Sequence, residues 1–278
     1  MKITLIPNKN KSETAALAQA VSDRLTAAGA QVCIPDYAAP LPDTAGLCAA
    51  LADTDVAIAI GGDGTIVHVA KAAAQAGCPV LGINAGHLGF LAGLEADELD
   101  ALPALLSGDY TVDERALMEA SLRVEGEEVT RYVMNEVVIS RGGLSRLVDA
   151  VVHADGGEVL SCRGDGVIIA TPTGSTAYSL SAGGPVVDPA VDCVLLTPVC
   201  PHSLDSRPRI WPAGVTLTAT AVAADGEPAY VTVDGEESIP LLSGDTVMIR
   251  RADKTIRLLQ LRHDSFYERL SRKLTDRR

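Results

Sequence analysis

The stretch Gly61-Gly62-Asp63-Gly64-Thr65 sets a carboxylate in a glycine-rich turn, between an apolar run at 56–60 and a helical pattern at 66–76. Glycines let a backbone turn tightly and approach a ligand closely. The first N–H groups of a helix suit phosphate oxygens. A carboxylate among such donors would repel phosphate unless it holds a metal or accepts a proton, which makes Asp63 the informative residue. The loop is neither a Walker A sequence nor a G-x-G-x-x-G dinucleotide fingerprint. Gly82-Ile83-Asn84-Ala85-Gly86-His87-Leu88-Gly89-Phe90 is a second glycine-rich passage from strand to loop, expected to wall the same crevice. Asn135-Glu136 interrupts an apolar strand, so one of the two side chains should face the core. A buried carboxylate needs donors, and ribose hydroxyls would supply them. Finally, Arg163-Gly164-Asp165-Gly166 precedes a segment crowded with hydroxyls: Thr171, Thr173, Ser175, Thr176, Tyr178, Ser179 and Ser181. Hydroxyls donate and accept, which suits adenine, ribose and phosphate alike. Tyr178 adds a ring face for stacking.

These residues need elements to hold them. The first third alternates apolar runs with helical patterns. Strands are expected at 2–7, 32–35, 56–60 and 79–83, and helices at 12–28, 45–52, 66–76 and 97–106. Ser12 is expected to cap the first helix, whose Leu17, Val21 and Leu25 recur at four, and Gly29 to stop it. Strand–helix alternation argues for a parallel sheet covered by helices. Near residue 115 the pattern changes to short strands between turn signals, at 117–124, 147–153, 167–171, 215–222, 230–233 and 246–250, as in a sandwich-like all-β domain. A last helix is expected at 264–274. The expected fold class is therefore an α/β N-terminal domain with a parallel sheet, plus a C-terminal all-β domain.

The 278 residues can bury a sizeable core, and with aromatics at 3% that core must be built from Val, Ile, Leu and Ala. A formal net charge of −13 argues against nucleic-acid and anionic-membrane partners. Cys33, Cys48, Cys78, Cys162, Cys193 and Cys200 form no C-x-x-C pair, and reduced thiols are expected. No signal peptide and no membrane span is read, so the cytoplasm is the expected compartment.

G-G-D-G-T at 61–65, N-E at 135–136 and T-P-T-G-S-T-A-Y-S at 171–179, in that order, resemble the NAD kinase family. The resemblance runs from about Ile3 to Leu274 and includes Ser181-Ala182-Gly183-Gly184-Pro185 and Pro201-His202-Ser203-Leu204. G-G-D-G alone is shared with phosphofructokinases and with diacylglycerol or sphingosine kinases, whereas T-P-T-G-S-T-A-Y is far more specific. The resemblance implies an α/β domain at 1–115 carrying the loop, a β-rich dinucleotide-binding domain at 116–255, and a segment at 256–278 returning to the first. It implies NAD and ATP, or another phosphoryl donor, as substrates, with a divalent metal such as Mg²⁺ whose ligands are unassigned. A homodimer or homotetramer is implied too. Position by position, Asp63 matches the family's general base and Gly64 shares its loop. Asn135 and Glu136 match the pair that holds the adenosine ribose, and Thr176, Ala177, Tyr178 and Ser181 match the dinucleotide pocket. Arg163 and Asp165 match a segment that approaches a dinucleotide bound mainly by a neighbouring subunit. Gly61, Gly62 and Thr65 are candidates for phosphate contacts. His68 stands where many members have Arg, Arg146 at a variable basic or imidazole position, and Glu236 where some relatives have Gln.

The expected function is transfer of a phosphoryl group to the 2′-hydroxyl of the adenosine ribose of NAD, giving NADP, with Asp63 accepting the proton. Two other readings use the same loop. A lipid or sugar kinase would leave the T-P-T-G-S-T-A-Y segment without a role. A noncatalytic NAD(H)-sensing module would leave Asp63 without one.

Overall fold

The computed structural model describes the chain apart from residues 38–40, 87–88, 125, 143–146, 204, 224–226, 237, 263 and 276–278, and apart from the side chains of Val124 and Leu274. The chain divides into two units, residues 1–115 with 254–278, and residues 116–253.

The first unit opens with β1 (Lys2–Pro7), α1 (Ser12–Ala27), β2 (Gln31–Cys33), α2 (Thr44–Leu51), β3 (Val56–Gly61), α3 (Asp63–Ala76), β4 (Val80–Asn84), β5 (Leu94–Glu95) and α4 (Pro103–Ser107). Parallel pairing sets β2 beside β1, β1 beside β3, and β3 beside β4. β3 and β4 are buried at every position, as strands covered on both faces must be. Ile3, Leu5, Val21, Leu25, Ile58, Ile60, Leu81 and Ile83 share one apolar core. Because the strands run parallel, the segments leaving β1, β3 and β4 emerge at the same edge. The Asn8 N–H reaches the Ile60 carbonyl at 2.9 Å there, and the Ala85 N–H reaches the Gly61 carbonyl at 3.0 Å.

Local chemistry moves several expected boundaries. Lys11, not Ser12, takes the capping position of α1, with extended backbone and no side-chain cap. Thr14 closes that turn by donating its hydroxyl to the Asn8 and Lys11 carbonyls. The helix expected at 97–106 is split into a 3₁₀ turn at Leu99–Ala101 and α4, because Pro103 has no N–H to continue the first piece. β2 is shorter than expected and ends at Cys33. α3 begins at Asp63, three residues earlier than expected, since the Gly62 carbonyl accepts from Thr65 and Ile66.

β6 (Thr111–Val124) leads into the second unit, followed by β7 (Glu127–Val133), β8 (Glu136–Ser140), β9 (Val148–Ala154), β10 (Gly157–Gly164) and β11 (Gly166–Ala170). A 3₁₀ turn at Thr173–Thr176 and the short α5 (Tyr178–Ser181) precede β12 (Cys193–Val199), β13 (Arg209–Pro212), β14 (Leu217–Ala223), β15 (Ala229–Val233), β16 (Ser238–Leu241) and β17 (Val247–Gln260). The strand expected at 246–250 is thus the start of a longer one, whose Leu258 and Leu259 pair with β4 in the first unit. There α6 (Phe266–Thr275) ends the described chain. Among the described residues, one antiparallel sheet runs β13-β12-β11-β8-β15-β16, and a second antiparallel set pairs β10, β9, β14 and β17. One core joins them: Val137, Ile139, Val167 and Ile169 from the first set meet Ala150, Val152, Ala219 and Ala221 from the other. β11 is buried on both faces. Its Ile168 and Ala170 pack instead with Val138, Val187 and Leu195 on the outer side. The α/β half with parallel strands and the all-β half are the fold class that the sequence led us to expect. The six cysteines are free thiols. Among the described residues no helix is long and apolar enough to cross a membrane.

Candidate active site

In the first unit the glycine loop closes on itself. A side chain at Gly61 would meet the Thr65 hydroxyl at 2.5 Å, so the turn requires glycine. Thr65 is buried, and its hydroxyl accepts from the Asn8 side chain at 2.9 Å. Gly62 caps α3, and Asp63 is its first residue. The free N–H groups and the positive end of the helix dipole therefore sit in this loop. The Asp63 carboxylate turns toward the segment after β4. Its Oδ2 accepts from the Phe90 N–H at 2.9 Å and its Oδ1 from the Leu91 N–H at 3.2 Å. The Lys273 ammonium lies 3.4 Å from Oδ2. A Cβ at Gly89 would fall 2.2 Å from Oδ1, so the approach of that segment depends on glycine there. His68, farther along α3, has its Nε2 2.8 Å from the Pro42 carbonyl.

In the second unit the corner before β8 is held from two sides. Asp234 sits in the left-handed region with φ +50°, in the turn after β15. Its carboxylate accepts from the N–H groups of Met134, Asn135 and Glu136 at 3.0, 2.8 and 3.0 Å. From the other side, Thr171 donates its hydroxyl to the Met134 carbonyl at 2.6 Å and its N–H to the Asn135 carbonyl at 2.9 Å. A side chain at Gly174 would land 2.1 Å from that same carbonyl oxygen. Glu136, the first residue of β8, is thereby driven into the interior with 6% of its surface exposed. Burial pushes its carboxyl up to about 7, the Asp234 charge pushes in the same direction, and a hydrogen bond from the Tyr178 N–H opposes both. Among the described residues nothing donates to Glu136 Oε2. A buried carboxylate oxygen without a donor is costly, and a ligand hydroxyl would satisfy it.

The hydroxyl-rich segment divides by use. Ser175 bonds Val187, Ser179 bonds Thr197, and Thr176 donates to the Thr173 carbonyl. Tyr178 is 45% exposed, so its ring is open to a ligand, and Ser181 is also exposed. Arg163 and Asp165 lie elsewhere. β8 and β11 pair with Glu136 opposite Ala170 and Ser140 opposite Gly166. Asp165 therefore flanks the far end of the pair, about 17 Å of strand from Glu136 at ~3.4 Å per residue. There Asp165 accepts from Arg141 at 2.8 Å, and Arg163 faces Asp149 at 3.8 Å. Glu236 is exposed in the turn that carries Asp234. Arg146, His87 and His263 lie outside the described residues.

Sequence reasoning missed four participants. Asp234 stands next to a glycine, with nothing in the local sequence to show that it reaches the N–H groups at the entry to β8. Phe90 and Leu91 contribute backbone N–H groups, which carry no residue signature. Lys273 falls in the last expected helix, far in sequence from the carboxylate it meets. Among the described residues, no three His, Cys, Asp or Glu side chains come together as a metal-ligand set. Among the described residues there is therefore no protein-built cage for a divalent ion.

Residues 3–110 match the family model described as the ATP-NAD kinase N-terminal domain, and residues 134–261 that of the ATP-NAD kinase C-terminal domain. An NAD kinase of Symbiobacterium thermophilum is 42% identical over 286 residues, covering 99% of each chain. One of Geobacter sulfurreducens is 41% identical over 222 residues, 79% of this chain and 78% of that one. Among solved structures, yeast NADH kinase complexed with NADH matches with a TM-score of 0.84 at 25% identity, over 99% of this chain and 87% of that one. An NAD kinase from Archaeoglobus fulgidus in complex with ATP has the same fold, with a TM-score of 0.79 at 23% identity over 99% of both chains.

Proposed function

The chain belongs to the NAD kinase family, and from that premise we propose that it transfers the terminal phosphoryl group of ATP, or of another phosphoryl donor, to the 2′-hydroxyl of the adenosine ribose of NAD. The observation that carries the dinucleotide part is Glu136 Oε2: a buried acceptor without a donor among the described residues, on a side chain that accepts from the N–H of the exposed Tyr178. Ribose hydroxyls fit it, with Asn135 beside them and the Tyr178 ring, Thr176, Ala177 and Ser181 around the base or nicotinamide.

For the phosphoryl part, the N–H groups at Gly62 and Gly64, with the α3 dipole, face the charge of the donor phosphates. Gly61, Thr65 and Asn8 keep that loop in shape, while His68 is committed to the Pro42 carbonyl and serves α2 packing. The ribose O2′ attacks the terminal phosphorus, the bond from that phosphorus to the bridging oxygen breaks, and ADP leaves with the electron pair. The hydroxyl proton passes to Asp63. In such reactions positioning and electrostatics do most of the work. Among the described residues the donor set does not fit a protein-built metal site, so a divalent ion would arrive on the donor phosphates, and no step here is assigned to it.

Arg163 and Asp165, remote from Glu136 along β8 and β11, are read as reaching a dinucleotide held by a second copy in a homodimer or homotetramer. The cytoplasm is the proposed compartment. The test is turnover with NAD, ATP and Mg²⁺ followed by product identification. Formation of NADP is expected. NAD binding without any product would instead mean a sensor, and phosphorylation of a lipid or sugar but not of NAD would mean a different kinase.

A further inference from the structure

Asp63 has more partners than an unencumbered base needs. We propose that Lys273 of α6 is a positioning residue for Asp63: it holds Oδ2, so that Oδ1 is the atom that takes the ribose proton. This deepens the reading of Asp63 as the base and rests on it.

A carboxylate oxygen has about two acceptor positions. Oδ2 fills both, with the Phe90 N–H at 2.9 Å and the Lys273 ammonium at 3.4 Å. Oδ1 receives the Leu91 N–H at 3.2 Å. Among the described residues one position on Oδ1 stays open, and glycine at 89 keeps it so, because a side chain there would collide with that oxygen. Lys273 is fixed independently of Asp63. Its ammonium sits 4.0 Å over the Phe90 ring, a cation–π contact on the same residue whose N–H holds Oδ2. α6 itself starts from a reciprocal cap: the Ser265 N–H donates to the Glu268 carboxylate at 2.7 Å, and the Glu268 N–H donates to the Ser265 hydroxyl at 3.3 Å. Arg269 on the next turn pairs with Asp113 at 3.6 Å and donates to the Asp264 carbonyl at 3.1 Å.

A partly exposed ion pair can also be merely structural and worth little, and a lysine on a base can also block it. A double-mutant cycle separates these cases. The rates to compare are those of the parent, Lys273→Met, Lys273→Arg, Asp63→Asn and the Asp63→Asn/Lys273→Met double variant, with KM measured for NAD and ATP. Lys273→Met should lower kcat about tenfold or more while both KM values stay within about threefold, and Lys273→Arg should restore most of the rate. Because Lys273 acts through Asp63, the double variant should be no slower than Asp63→Asn alone. An unchanged or faster Lys273→Met overturns the proposal, as does a double variant whose losses multiply. If circular dichroism shows Lys273→Met unfolded, Lys273→Gln is judged by the same criteria. A slow Asp63→Asn with a fast Lys273→Met overturns this inference alone. A fast Asp63→Asn overturns the base assignment and this inference with it.

Discussion

Two carboxylates in this chain do opposite things, and their surroundings say which. Asp63 is met by two backbone N–H groups and an ammonium. Glu136 is buried, beside Asp234, with one oxygen unserved. Asp63→Asn keeps the shape and removes the charge. It should lower kcat by about a hundredfold or more, while calorimetry should show NAD affinity changed by only a few-fold, since the proposed ribose contacts belong to other residues. Glu136→Ala should weaken NAD binding about tenfold to a hundredfold, as expected for charge-assisted bonds of roughly 1.5–3 kcal/mol. Glu136 also carries a pH signature. Folding raises its carboxyl from 4.5 to about 7, so its contribution to stability is complete below 4.5 and is lost as pH rises through 7. Ribose hydroxyls donate to the ionised form, so NAD affinity should move the other way and strengthen as pH rises through 7. Titration calorimetry from about pH 6 to about pH 8 checks this, and Glu136→Gln should flatten the slope.

At the level of elements, the proposed dinucleotide corner exists because two separate strand ends converge on the entry to β8. Thr171 follows β11 and Asp234 follows β15, and both strands flank β8 in the sheet. Asp234 accepts from three successive N–H groups, in a backbone conformation that an alanine would adopt under strain. Asp234→Ala should cost at least about 2 kcal/mol in denaturant unfolding, because donors lose their acceptor. It should also raise KM for NAD about tenfold or more, because Glu136 loses its fixed position. Unchanged values of both would mean that Thr171 and Gly174 hold the corner by themselves.

For the whole molecule, the remoteness of Asp165 from Glu136 makes a claim about copies. If Asp165 serves a neighbour's ligand, Asp165→Ala and Asp63→Asn are defective in different sites. Mixed and reassembled, the two proteins should recover part of the parent activity, because some sites then combine an intact Asp63 from one copy with an intact Asp165 from another. Light scattering should show a dimer or tetramer, with activity falling as it dissociates. A fully active monomer would place Asp165 outside the reaction.

The sequence by itself determined the alternation of elements, the switch to strands near 115 and the residues of the glycine loop, the N-E pair and the hydroxyl-rich segment. Those depend on near-neighbour patterns: apolar periodicity, glycine turns, and side-chain types that cluster along the chain. Family resemblance then supplied roles that patterning alone does not contain. Tertiary structure decided the rest, because it depends on contacts far apart in sequence. It alone brought Lys273 to Asp63 across 210 residues and Asp234 to the entry of β8 across about a hundred. It turned the N–H groups of Phe90 and Leu91 onto a carboxylate. It separated Asp165 from Glu136 by the length of a strand pair. It also showed which hydroxyls of the 171–181 segment are consumed internally. Backbone donors leave no trace in residue identity, and a basic residue near a chain end reads as solvated until a fold places a carboxylate beside it.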